Sequence, residues 1–170
     1  RIPSWCESPE ICINGNRLRV KYRAGKFAVI DRVWKNNDKI TLDMPMEFRL
    51  IKGRARQSGR VAVMRGPLLF CLNPEKNKTL SGKDGADLGM IVIDHYSVEK
   101  KPVKDKTVRP KGIGCKIKAC DNHFGIGNEK NIKIMLTEFP DPNGKSVYFR
   151  TPDMTNNVIS DPITCGDKND

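Results

Sequence analysis

The sequence predicts an all-β fold, an antiparallel β-sandwich of the jelly-roll-like or immunoglobulin-like kind, and three observations carry that reading. Apolar and polar residues alternate with a period of two through most of the chain. Turn signals built from Gly, Pro, Asn and Asp recur roughly every eight to twelve residues. No segment sustains helical spacing over about ten residues.

The elements follow in order. Ile11 and Ile13 precede Asn14-Gly15, and Leu18 and Val20 follow it, which is a strong short-range hairpin signal. KFAVIDRVW reads as a β-branched and aromatic strand run, closed by a turn at Asn36-Asn37-Asp38. KITLDM then sets Ile40, Leu42 and Met44 on one face, and Pro45 ends the strand because it cannot donate to a ladder. EFRLI and a basic loop from Gly53 to Gly59 lead to RVAVMRGPLLFCLN, two strands hinged at Gly66-Pro67. The stretch from Pro74 to Gly89 is polar and marks a surface connection or a boundary. Strand patterns resume at LGMIVID, at GIGCKIKAC, at NIKIMLTEF and, after the Pro140–Gly144 turn, at KSVYFRTP.

Length and charge bound the function. At 170 residues the chain can bury one sizeable core or two small ones. Charged residues are 30% of it and no run approaches the roughly 18 apolar residues of a membrane span, so no membrane partner is expected. RIPSWCESPE is not a signal peptide; it reads as the interior of a longer polypeptide, so localisation does not follow from it. The net charge of +11 would draw polyanions, but the lysines are spread out and lack the aromatic interleaving of single-strand binders. No nucleic-acid partner is expected. The densest basic run, Glu99 to Lys111, is broken by Pro102 and Pro110 and reads as a solvated connection.

Chemistry is sparse. Cys12 and Cys71 lie inside apolar strand patterns and read as buried thiols. Cys115, Cys120 and His123 are loosely spaced like metal ligands, but a structural zinc wants four, and the other histidine, His95, is distant. Asp94 and His95 would point to opposite faces of a strand, so both histidines read as surface or loop residues. Glu138, Asp141 and Asp153 lie near turns and nominate no glycosidase pair. The NKT triplet at Asn77 matches a glycosylation acceptor that matters only in a secreted eukaryotic setting. Trp34 reads as core. Trp5, at a strand end after Pro3-Ser4, is the one candidate for covering a neighbouring domain. No catalytic, cofactor-binding or metal-ligating residue is nominated, and no cofactor is expected.

Several segments together resemble one family. RIPSW, the hairpin around ING, DRVWKNNDKITLDMPM and VAVMRGPLLFCLN resemble the C-terminal β-sandwich region, after the catalytic barrel, of family 127 glycoside hydrolases, the β-L-arabinofuranosidases. VRPKGIGCKIKAC and LTEFPDPNGKSVYFRTPD resemble segments of some bacterial members, which extends the likeness to about residue 153. The resemblance implies a six-hairpin helical barrel elsewhere in the polypeptide, carrying a cysteine nucleophile and a zinc held by Glu and Cys. No position here matches that motif, so none of those roles is carried over. It implies two nested layers: residues 1–74, a polar linker at 75–87, a second layer at 88–153 and a polar tail at 154–170. It also implies the barrel as partner, a homodimer as a further association, and a bacterial periplasmic or cytoplasmic setting. The expectation is a non-catalytic accessory domain. The alternative is a carbohydrate-binding module for acidic plant polysaccharide, which the positive charge favours and the scarcity of aromatics opposes.

Overall fold

The computed structural model describes residues 1–19, 22–80, 87–121, 130–152 and 159–160. Among these, every regular element is a strand or a short 3-10 turn, so the all-β, sandwich-type expectation holds. The chain divides into two units, Arg1–Glu47 and Phe48–Asp170.

The first unit holds a small sheet of β1 (Glu10–Ile13), β2 (Asn16–Arg17) and β3 (Ile40–Asp43) in the order β2-β1-β3. Asn14 and Gly15 both take positive φ, 52° and 80°, as a primed two-residue hairpin turn requires. Asn14 also ties this turn to the next one. Its amide donates to Asp38 Oδ1 at 2.7 Å and its oxygen accepts from the Lys39 N–H at 2.8 Å. The Lys35 N–H, then Asn14, hold the Asp38 carboxyl below its ordinary range. Ile11 and Ile13 are buried on one face of β1, with Ile2 and Cys6 also buried.

The run Phe27–Trp34 forms no strand, contrary to its β-rich composition. It pairs with no ladder, and a strand needs a neighbour for its backbone groups more than it needs β-branched residues. Val20 lies outside the described residues.

The second unit contains β4 (Phe48–Lys52), β5 (Arg60–Arg65), β6 (Leu68–Leu72), β7 (Ile91–Ile93), β8 (Val103–Lys104), β9 (Ile113–Asp121), β10 (Lys130–Glu138), β11 (Tyr148–Arg150) and β12 (Ile159–Ser160). Gly66 takes φ 55° in the two-residue turn between Arg65 and Leu68, so the Gly-Pro hinge is a hairpin corner. From β5 the pairings run through β6, β10, β9, β7 and β11 and return to β5. That closed circuit leaves none of its six strands with a bare edge along its whole length, which removes the usual aggregation hazard of open sheets. β6 and β10 pair across the polar stretch 75–87, so residues on its two sides share one sheet.

The core is written in β9 and β10. Cys115, Ile117 and Ala119 face inward and stand opposite Leu136, Ile134 and Ile132, while Lys116, Lys118 and Lys133 face outward. Phe70, Leu72, Val61, Val63, Leu50 and Phe149 complete the cluster. Each fully buried aliphatic or aromatic side chain contributes roughly 1.5–3 kcal/mol.

Candidate interdomain interface

The polar residues singled out in the sequence are consumed by the fold of the second unit. Glu138 keeps the core-facing parity of Ile134 and Leu136, so its carboxylate is buried and must be paired. Arg109 supplies a two-pronged partner, with Nε and Nη2 each 2.7 Å from a carboxylate oxygen, and the Ile113 N–H adds a bond of 3.1 Å. The Arg109 hydrogen bonds hold the Glu138 carboxyl below the usual range against the opposing effect of burial. Asp105 is buried as well. It accepts from Lys76 Nζ at 2.6 Å and from the Thr107 hydroxyl and N–H. Burial pushes the Asp105 carboxyl up, but these bonds outweigh it and leave it lowered. The basic run Glu99–Lys111 is therefore anchored by two buried carboxylates and contributes β8; it is not simply a solvated connection.

Asp141 is the third such group. The turn Pro140–Gly144 folds it against the outer side of β6 and β10, where it accepts from Asn73 Nδ2 at 2.8 Å, Thr137 Oγ1 at 2.7 Å and the Asn143 N–H at 2.9 Å. Burial raises its carboxyl, and the bonds from Asn73 and Thr137 more than reverse that. Cys71 packs beside Thr137, its thiol pushed up by burial. Asn77 of the NKT triplet is buried, with its amide bonded to the carbonyls of Asn73 and Met135, so a glycan has no access to it in the folded chain.

The loose metal-like spacing comes apart. Cys115 and Cys120 are five residues apart on β9, which puts them on opposite faces. Burial, then the Glu99 charge, pushes the Cys115 thiol up to about 12, which makes a thiolate ligand there costly. His123, Asp153 and Cys165 lie outside the described residues, and Cys6, Cys12, Cys71 and Cys115 are free thiols. His95 departs from its surface reading. It sits in a 3-10 turn headed by Asp94, is buried, and its Nδ1 lies 2.7 Å from Thr151 Oγ1.

The two tryptophans sit in different surroundings. Trp5 is half-buried in a turn closed by the Cys6 N–H bonding to the Pro3 carbonyl. Trp34 is not core: it is 47% exposed, with the Arg32 guanidinium 5.1 Å from its ring centre. It belongs to a larger set. Among the described residues, seven of the nine exposed large hydrophobics fall between residues 27 and 46: Phe27, Val29, Val33, Trp34, Ile40, Leu42 and Met46. Phe27, Val29 and Val33 are about four-fifths exposed, at 78%, 82% and 86%. Ile40 and Leu42 stand directly opposite Ile13 and Ile11, so the buried apolar face of β1 continues onto β3 and there meets solvent. Single exposed apolar residues are ordinary, whereas a concentration of them in one segment is not. The available signal was the unbroken FAVI run, apolar without the alternation of a half-exposed strand.

Comparison with known proteins points to the same segment. Residues 1–46 match the family model described as the β-L-arabinofuranosidase, GH127 middle domain. That model is named for a middle domain, where the resemblance had suggested a C-terminal region. A solved structure titled glycoside hydrolase aligns with a TM-score of 0.69 at 22% identity, over 89% of this chain and 27% of that one. Ara127N-Se, a GH127 β-L-arabinofuranosidase from Geobacillus stearothermophilus T6, aligns with a TM-score of 0.67 at 21% identity, over 89% of this chain and 26% of that one. No curated protein matches. The chain thus spans about a quarter of the length of the solved structures it resembles, shares their local fold across nearly all of itself, and matches the GH127 middle domain over its first 46 residues.

Proposed function

We propose that this chain is an accessory β-sandwich region of a β-L-arabinofuranosidase-like glycoside hydrolase, has no catalytic centre of its own, and packs through residues 27–46 on the helical barrel that the family resemblance implies. One observation carries the reading. The segment that matches the GH127 middle domain is also the one that leaves seven large apolar side chains in solvent. The similar solved structures are roughly four times as long, so an intramolecular cover is the economical occupant of that face. The described buried carboxylates support the non-catalytic part, since Glu138, Asp105 and Asp141 are held ionised by structural partners and not poised as a proton donor.

The test has two arms. The chain alone, offered an aryl β-L-arabinofuranoside, is expected to show no turnover, and clear hydrolysis would remove the non-catalytic reading. In a polypeptide that joins this chain to a helical glycosidase barrel, Phe27→Ser with Val33→Ser should lower the melting temperature. No change in that longer protein would remove the docking surface.

A further inference from the structure

We propose that the outer face of β9 and β10 is a binding site for an anionic polysaccharide of the polyuronate class, centred on Lys118 and Lys133. The two lysines stand directly opposite each other in the ladder, both exposed. Like charges in that position work against the sheet, because their Cβ atoms are only about 5 Å apart. A pair placed for stability alone would be offset by a carboxylate. Here neither ammonium is in a salt bridge among the described residues, and the same holds for Lys116 and Lys78 beside them.

The surface around these ammonium groups is shaped. Lys133 lines two shallow depressions of about 600 and 710 Å³. Lys118 and Asn131 line the first, and Lys116, Lys78 and Thr79 the second. Three carboxylates lie at the rims, Asp94 on the first depression and Glu75 and Glu99 on the second; Asp94 accepts from the Tyr96 N–H and Glu75 from Asn143. Four ammonium groups outside any ion pair among the described residues outnumber the three carboxylates at the rims and, with an exposed amide and a hydroxyl between them, match a chain that presents a carboxylate on each sugar and hydroxyls around it.

The geometry favours such a chain over nucleic acid. Among the described residues no aromatic ring lines either depression, so unpaired bases would find no stacking platform there. A two-stranded ribbon can enter a DNA major groove only when its edges are free, and here β9 also pairs with β7 and β10 with β6. This inference stands apart from the docking surface, which lies in residues 27–46.

The experiment measures binding of a fluorescent oligogalacturonate to the chain by anisotropy at low salt. Lys118→Ala with Lys133→Ala is expected to weaken binding about tenfold. The control pair Lys35→Ala with Lys39→Ala removes the same charge and should change affinity less than about twofold. Lys118→Arg with Lys133→Arg should keep it. The alanine pair should melt no lower than the parent, since it relieves a repulsion. Equal losses in the two alanine pairs would show a bulk-charge effect and overturn the site. So would absence of oligogalacturonate binding at low salt, or tighter binding of single-stranded DNA at matched salt.

Discussion

Replacing Glu138 separates an anchored connection from a solvated one. The carboxylate is 4% exposed and accepts three hydrogen bonds, two from Arg109 and one from the Ile113 N–H. Glu138→Ala removes the charge-assisted bonds, worth about 1.5–3 kcal/mol, and leaves a partly buried N–H unpaired for roughly 1 kcal/mol more. The expected loss is about 3 kcal/mol. For a chain of this size that is a fall in Tm of roughly 6–12 °C. Glu138→Gln keeps an acceptor for Ile113 but turns an amide donor toward the Arg109 guanidinium, so roughly 2 kcal/mol is expected. The pH dependence gives a second reading. Arg109 holds the folded Glu138 carboxyl below its unfolded value, so its contribution is complete above the unfolded value of about 4.3 and disappears as pH falls through the folded one. In urea titrations the gap between parent and Glu138→Ala should be widest above about pH 5 and narrow toward pH 3. A loss below about 0.5 kcal/mol at neutral pH, or a gap that does not change with pH, would refute the pairing argument.

Three other outcomes are expected. Leu136→Ala, at a fully buried core position, should cost about 2–5 kcal/mol in urea unfolding, which a repacked core would reduce to under 1. The Cys115 thiol, pushed up to about 12, should resist a thiol reagent in native buffer at neutral pH and react only after denaturation; prompt native labelling would contradict its burial. Phe27→Ser with Val33→Ser, both in solvent, should shift the stability of the chain alone by no more than about 0.5 kcal/mol, as read by the same titration.

Much of the fold was legible because it is local. Asn14-Gly15 and Gly66-Pro67 form turns whose backbone needs are met by those residues alone, and the Lys–apolar alternation of β9 states its inner face directly. What escaped reading depends on distant partners. The Arg109–Glu138 and Lys76–Asp105 pairs each span 29 residues, and nothing in the local pattern around Glu99–Lys111 announces a carboxylate that will bury against it. His95 is buried because Thr151, 56 residues on, offers its ring a hydroxyl. Ring closure through β11 is hidden for the same reason, since a three-residue strand pairs with both β5 and β7.

The run Phe27–Trp34 is the instructive miss. Its composition says that these side chains favour burial, and that part of the reading stands. Hydrophobicity is not directional, however, and an apolar run does not name what will cover it. A strand in a ladder and a loop pressed against another body satisfy the same side chains and differ only in where the backbone finds its hydrogen bonds. In this chain the backbone of 27–35 joins no ladder while its side chains stay in solvent. Burying Phe27 and Val33 fully would recover roughly 3 kcal/mol, enough to change an association constant about a hundredfold. The candidate interface was therefore present in the sequence as an apolar excess, but became recognisable only where the fold left that excess uncovered.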